Sequence, residues 1–159
     1  MSERINYIKY APEAMEAMYN LERYIALCYR ERGSFERSLL ELVKLRVSQL
    51  NGCAFCIDMH TKEARAAGET EQRLYGVNAW RETSYYTPKE CAALAWAEAN
   101  TLIAGNEIGD VLYGETREHF SEAALVDLTL AITTINAWNR IARSFGTEAG
   151  NYEAGNIAF

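Results

Sequence analysis

The sequence contains only two prolines, Pro12 and Pro88, among its 159 residues. Because proline interrupts helices and central strands, this scarcity leaves room for long helices. The chain also has no block of lysine and arginine, and its formal net charge is -6. It therefore lacks the basic surface that nucleic-acid-binding proteins need, and we expect small molecules or other proteins as partners.

Long apolar runs are absent as well. No stretch approaches the ~18 consecutive apolar residues of a membrane span, and the N-terminal residues 1–7 have no apolar signal-peptide core. We therefore expect a cytoplasmic protein without membrane contact. Hydrophobic residues make up 49% of the chain, which argues against disorder. The length is most simply that of one domain spanning residues 1–159.

Apolar residues recur at helical spacing, and no segment shows the sustained alternation of a strand. The sequence therefore predicts an all-α fold, a helical bundle of six to eight helices with short connections. The Thr87-Pro88-Lys89-Glu90 stretch combines a capping box with proline at the first helical position, which is a strong helix start. We expect an extended arm before Pro12 and a glycine-rich tail at 146–159, docked on the domain or on a neighbouring subunit.

One predicted helix is apolar on nearly all sides, which is typical of a helix in the interior. It runs from about Phe35 to Leu50, with Ser34 as its cap and Asn51-Gly52 as its end. Glu41 lies inside this apolar run, where a carboxylate without a partner is costly. The position of Glu41 therefore predicts a specific partner, and Arg46 is one candidate.

The four cysteines fall into two kinds. Cys28 and Cys91 stand alone in apolar helical patterns and are expected in the core. Cys53 and Cys56 form a close pair, and His60 follows four residues later. On a helix that begins near Cys53, these three side chains share one stripe. The spacing fits a redox dithiol with a built-in base, part of a metal site, or a cluster without function.

Each functional alternative makes chemical demands. A reactive cysteine works as the thiolate, which a helix N-terminus stabilises, and a histidine one turn away can accept its proton. A second cysteine in reach can convert an oxidised partner into a disulfide. A tetrahedral metal site needs a fourth ligand besides Cys53, Cys56 and His60. Glu41 is the available candidate, since the chain has no second Cys-x-x-Cys motif.

Helix geometry connects Glu41 with His60. If the two helices run antiparallel about the Asn51-Gly52 turn, Glu41 lies roughly 15 Å from the turn and His60 about 12 Å, at 1.5 Å per residue. The two side chains are then level within one helical turn. A carboxylate beside the imidazole would orient the ring and raise its basicity. The other histidine, His119, lies in a polar stretch and is expected at the surface.

Together, Glu41, eleven intervening residues, Cys53-x-x-Cys56, three residues and His60 resemble the alkyl hydroperoxidase D (AhpD-like) branch of the carboxymuconolactone decarboxylase superfamily. The resemblance covers a core motif at about residues 36–67, and the stretch 136–140 is compatible with it. Some members carry a histidine between the cysteines, where this chain has Phe55. The decarboxylase branch typically lacks the cysteine pair, which makes lactone decarboxylation a poor fit.

The resemblance implies a cofactor-free, thiol-dependent peroxidase that reduces hydrogen peroxide or organic hydroperoxides. Carried over by position, Cys56 would attack the peroxide and Cys53 would resolve it, while His60 and Glu41 form the proton relay. The resemblance also implies a dithiol reductant, of the lipoyl type, and a homo-oligomer, commonly a trimer or hexamer. Two other functions use the same residues: a thiol redox sensor or disulfide-exchange protein with little turnover, and a non-catalytic metal-binding helical module.

Overall fold

The computed structural model of the chain describes residues 4–156, and every regular element within them is helical. This confirms the all-α prediction. The eight α-helices of this part are α1 (Tyr7–Tyr10), α2 (Pro12–Arg30), α3 (Arg37–Asn51), α4 (Ala54–Ala66), α5 (Glu71–Gly76), α6 (Pro88–Thr101), α7 (Asp110–Arg117) and α8 (Glu122–Phe145), with a 3-10 helix at Val77–Glu82 after α5. Within residues 4–156, none of these helices has the length and apolarity needed to cross a bilayer.

Helix α3 lies at the centre of the fold. It packs most extensively against α4, α6 and α8, and Val43, Leu45 and Val47 on it are fully buried. Burying each such side chain contributes about 1.5–3 kcal/mol relative to exposure. The predicted interior helix is therefore present, and its neighbours cover it on several sides.

The sides of α3 face two different clusters of buried apolar residues. Leu39, Val43 and Val47 belong to a cluster that includes residues of α2, α6 and α8 and the two paired cysteines. Leu42 and Leu45 belong to a second cluster with residues of α5, the 3-10 helix and α6. The cysteine pair is therefore built into the first cluster.

Two sequence expectations near the helix starts are wrong. Tyr7–Tyr10, shortly before Pro12, form the short helix α1 instead of an extended arm, because the Asn6 side chain accepts the Lys9 backbone N–H at 3.1 Å. Helix α3 begins at Arg37, and Ser34 does not cap it. The Ser34 hydroxyl instead donates a 2.6 Å hydrogen bond to Asp127 on α8.

The C-terminal tail docks on α4 of the same chain. Lys62 Nζ donates to the carbonyl oxygens of Gly150 and Tyr152 at 3.0 and 2.8 Å. The Gly155 N–H donates to Glu63 Oε1 at 2.8 Å. This part of the tail therefore docks on its own domain, one of the two expected alternatives. The final Ile-Ala-Phe (157–159) lies outside the described residues.

The capping box at the start of α6 is confirmed. The Thr87 hydroxyl accepts the Glu90 backbone N–H at 3.2 Å, and the Glu90 carboxylate accepts the Thr87 N–H at 2.7 Å. We expect Thr87→Ala to lower the free energy of unfolding by about 1 kcal/mol, because the first turn of α6 loses its cap. Thr87→Ser keeps the hydroxyl and serves as the control in urea denaturation at one protein concentration. Equal destabilisation of both variants would contradict the role of the cap.

Candidate active site

The paired cysteines follow a tight reversal between α3 and α4. Gly52 ends α3 in the left-handed conformation, with φ at 64°, which glycine adopts without steric cost. The Gly52 N–H donates to the Gln49 carbonyl at 3.1 Å, and the Cys53 N–H donates to Ser48 at 3.0 Å. This closure of α3 leaves Cys53 as the residue that caps α4.

Cys53 and Cys56 are joined by a disulfide. Their Cα atoms lie 5.3 Å apart, a usual separation for such a bond. Cys53 Sγ also accepts the backbone N–H of Cys56 at 3.3 Å, so one sulfur takes part in capping the helix. Each residue is about 1% exposed, and access to either sulfur must therefore come through a cavity.

His60 lies one turn further along α4 and contacts the predicted glutamate. His60 Nδ1 and Glu41 Oε2 are 2.8 Å apart, and both side chains are buried. The level placement of the two residues is therefore confirmed. The alternative partner for Glu41 is excluded, since Arg46 pairs with Glu98 at 2.7 Å.

The Glu41 contact fixes the chemistry of the imidazole. Burial raises the pKa of Glu41, but the hydrogen bond and charge of His60, with Lys44 and Arg37, outweigh it and hold this pKa below its usual value. An ionised carboxylate only accepts hydrogen bonds, so Nδ1 carries a hydrogen and Nε2 is the ring nitrogen that can gain or lose a proton. His60 Nε2 is buried and has no hydrogen-bond partner among residues 4–156. It is therefore suited to exchange a proton with a reacting group.

A buried ion pair that the sequence reasoning missed lies beside this site. Lys44 Nζ on α3 is 2.7 Å from Glu22 Oε2 on α2, and both side chains are buried. Burial lowers the pKa of Lys44, yet the charges of Glu22 and Glu41 raise it above its usual range. The sequence held one signal: Lys44, like Glu41, is a charged residue inside the apolar run of α3.

Glu41, Lys44 and Ser48 form a buried polar stripe along α3. Their spacing of three and four residues places them on one face. Each has a partner on a different helix: His60 on α4, Glu22 on α2 and Asn139 on α8, whose Nδ2 donates to Ser48 Oγ at 3.1 Å. The stripe leads from the histidine to the turn that carries the cysteines.

The two cysteines line different cavities. Cys56 and His60 share a cavity of about 220 Å³, whose other walls are mainly apolar and aromatic and include Tyr7, Ile8, Tyr19, Phe55, Met59 and Trp138. Cys53 lines a separate cavity of about 170 Å³ with Gly52, Arg143 and Thr147. His60 and Glu41 also line a third cavity of about 190 Å³, which Tyr152 of the tail borders.

The remaining candidates take no part in this arrangement. Cys28 is fully buried, and burial raises the pKa of its thiol to about 11, so it is a poor nucleophile. Cys91 is partly buried, packs against the second apolar cluster and also has a raised pKa because of burial. His119 is exposed, as expected. Within the described part of the chain, no three His, Cys, Asp or Glu side chains are grouped to hold a metal ion.

Comparison with known proteins identifies the family of the chain. The model of the carboxymuconolactone decarboxylase family matches residues 12–99, which is more than half of the chain. The chain therefore belongs to the carboxymuconolactone decarboxylase family, and its structural neighbours place it in the AhpD-like branch. It is 48% identical over 151 residues to the uncharacterized protein YdfG of Bacillus subtilis, covering 95% of this chain and 99% of that protein.

Solved structures share the fold. ATU0492 of Agrobacterium tumefaciens, a protein of unknown function proposed to be the antioxidant defence protein AhpD, superposes with a TM-score of 0.86 at 42% identity. The match covers 95% of this chain and all of that one. The debrominase Bmp8 gives a TM-score of 0.78 at 18% identity, over 91% of this chain and 75% of its own. This last likeness shows the fold alone.

The lowered pKa of Glu41 makes the stability of the protein depend on pH. Its charged form contributes stability that is present above about pH 4.5, the unfolded value, and is lost as pH falls through the lower folded value. We expect Glu41→Gln to lower the free energy of unfolding by about 1–3 kcal/mol at pH 7. The difference from the native protein should hold down to about pH 4.5 and shrink as the pH falls from there to 3.5.

Chemical denaturation at a series of pH values measures this difference. Glu13→Gln, the same substitution on an exposed residue of α2, is the matched control and should change stability by less than about 0.5 kcal/mol throughout. A Glu41→Gln effect that stays constant from pH 7 to 3.5 would contradict the assignment of an ionised, His60-paired carboxylate.

Proposed function

We propose that the protein is a thiol-dependent peroxidase that reduces hydrogen peroxide or organic hydroperoxides through a dithiol–disulfide cycle of Cys53 and Cys56. The observation that carries the proposal is the disulfide at the start of α4 together with His60, whose Nδ1 is held by Glu41. This set supplies an oxidisable pair and a base in one buried site. Family membership supports the same chemistry.

In the first step, the Cys56 thiol passes its proton to His60 Nε2, and the thiolate attacks one peroxide oxygen. The O–O bond breaks, the alkoxide or hydroxide leaves and takes up the proton, and Cys56 becomes a sulfenic acid. Cys53 then attacks the Cys56 sulfur, the sulfenic hydroxyl leaves as water with the proton of Cys53, and the disulfide forms. A dithiol reductant returns two electrons and two protons in each cycle.

The assignment of Cys56 as the attacking residue rests on its surroundings. Cys56 lines the same cavity as His60, whereas Cys53 lines another one. Cys56 also lies in the first turn of α4, where the helix dipole favours a thiolate. Glu41 acts through His60 by fixing the ring and holding its tautomer.

Several broader properties belong to the same proposal. The reductant is a dithiol, of the lipoyl type by family resemblance, and the active form is a homo-oligomer, a trimer or hexamer, in the cytoplasm. No resident metal or organic cofactor is required for the steps above. The fold by itself does not identify the reaction or its reductant, because Bmp8 has a similar fold and is a debrominase.

The second candidate is a thiol redox sensor or disulfide-exchange protein. The near-complete burial of both sulfurs favours it, since a buried disulfide turns over slowly unless a reductant can enter. It uses the same residues as the peroxidase and differs only in turnover. The third candidate is a metal-binding module. No observation in residues 4–156 favours it, since no three His, Cys, Asp or Glu side chains there are grouped to hold a metal ion.

Steady-state assays with hydroperoxide and a dithiol reductant test the proposal. We expect Cys56→Ser to abolish turnover. Cys53→Ser should consume one peroxide per protein and stop as a sulfenic acid, because the resolving thiol is missing. His60→Gln should lower kcat/KM by roughly 100-fold, the usual contribution of a general base.

Cys91→Ser is the matched control, because it removes a thiol outside the site and should keep full turnover. Full turnover in Cys56→Ser would show that the attacking thiol is assigned wrongly. If the native protein forms the disulfide with peroxide but does not turn over with any dithiol, the sensor function replaces the peroxidase.

A further inference from the structure

Three arginines surround a polar cavity of about 560 Å³ next to the cysteine turn. We name Arg4, Arg140 and Arg143 the arginine cluster; its cavity is completed by Asn51, Asn139 and Ser144. The whole chain carries a net charge of -6. The cluster is therefore a local positive region on a protein that is negative overall.

These arginines are not neutralised by carboxylates. No Asp or Glu within residues 4–156 forms an ion pair with any of the three. Their hydrogen bonds go to uncharged acceptors: Arg4 to the carbonyls of Arg143 and Ser144, Arg140 to Asn136, and Arg143 to the Asn51 carbonyl. Each of these bonds uses Nη1, which leaves further N–H groups of every guanidinium for a ligand.

The arginine cluster is continuous with the Cys53 side of the disulfide. Arg143 lines both the cluster cavity and the 170 Å³ cavity of Cys53. Its Nη1 atom lies 3.9 Å from the position that a Cβ on Gly52 would occupy, directly before Cys53. A molecule that contacts Cys53 from this side therefore meets a guanidinium.

We propose that the arginine cluster binds the carboxylate of a small thiol reductant and directs its sulfur to Cys53. The inference rests on the proposed dithiol–disulfide cycle and adds the entry side and chemical class of the reductant. Guanidinium groups pair with carboxylates through charge-assisted hydrogen bonds. A local positive potential also attracts the attacking thiolate itself.

The exchange proceeds in two balanced steps. The reductant thiolate attacks Cys53 Sγ, the Cys53–Cys56 bond breaks, and Cys56 leaves as a thiolate. The second thiolate of the reductant then attacks the reductant sulfur that is bonded to Cys53. This closes the disulfide of the reductant and releases the Cys53 thiolate. Two electrons pass from the reductant to the protein, and two protons from water complete the thiols.

The Cys56 side offers a different environment. Its cavity is mainly apolar and aromatic, and the one lysine on its wall, Lys44, is already paired with Glu22. A carboxylate would therefore be poorly held there. Peroxide and reductant accordingly use different cavities, the first at Cys56 and the second at Cys53.

Stopped-flow reduction of the oxidised protein tests the inference without any peroxide. Dihydrolipoate and dihydrolipoamide are the probes, because they are the same dithiol with and without a carboxylate. Each rate constant is divided by that for a small model disulfide to remove differences in intrinsic reactivity. We expect the normalised rate for dihydrolipoate to exceed that for dihydrolipoamide by about fivefold at low salt, the effect of an exposed charge pair.

The net negative charge of the protein alone would give the opposite preference, which makes the sign of the ratio informative. The ratio should fall towards one as salt is added. It should also fall towards one in Arg140→Ala, whereas Arg140→Lys, which keeps the charge, should retain most of the preference for dihydrolipoate. Arg23→Ala, which removes a charge from α2 outside both cavities, is the control. A ratio at or below one in the native protein, or an equal loss in Arg23→Ala, would overturn the inference.

The attacked sulfur is identified with 3-mercaptopropionate, a carboxylate-bearing thiol that leaves a mixed disulfide. Rapid alkylation and peptide mass spectrometry should find the adduct on Cys53 and the alkyl label on Cys56. The reverse distribution would overturn the proposed side of entry. These measurements remain valid if the protein fails to reduce peroxides, so a failure of the proposed function is distinguishable from a failure of this inference.

Discussion

The 2.8 Å hydrogen bond between Glu41 and His60 is the interaction on which the site depends. A carboxylate in the interior helix α3 is tolerated only with a partner, because an unpaired buried charge costs several kcal/mol. The partner is available only when α4 folds back antiparallel from Gly52. That same reversal makes Cys53 the cap of α4 and brings Cys56 into its first turn. The same chain reversal at Gly52 therefore gives the buried glutamate its partner and sets the geometry of the cysteine site.

The surroundings of this pair are arranged by charge. Glu22 and Lys44 neutralise each other beside the cavity of Cys56, and Lys44 helps to keep Glu41 ionised. The arginine cluster borders the cavity of Cys53 through Arg143 and has no carboxylate partners in residues 4–156. The cavity of Cys56 is therefore mainly apolar and contains a base, whereas the region next to the cavity of Cys53 is polar and positive. This asymmetry is what a two-substrate redox cycle requires, since oxidant and reductant then need not compete for one entrance.

The parts of the site within one helix pair were predictable from the sequence. The offset of His60 from Cys56 follows from the helical repeat, and counting from the Asn51-Gly52 turn places Glu41 level with His60. The Glu22–Lys44 pair was not predictable, because the sequence does not say which face of α2 packs on α3. Serine is a residue type that often caps helices, but the Ser34 hydroxyl donates its hydrogen bond to Asp127 on α8 instead. That the whole chain forms one domain, and how it assembles, stay predictions, since the geometry of one chain tests neither.

The most direct test of the central claim is a single-turnover titration. The fully reduced protein is mixed with one equivalent of hydroperoxide under anaerobic conditions, and its thiols are counted and mapped by mass spectrometry. We expect the loss of two thiols for each peroxide consumed and a new disulfide between Cys53 and Cys56, with Cys28 and Cys91 unchanged. Unchanged thiols, or oxidation of Cys28 or Cys91 in place of the pair, would contradict the claim.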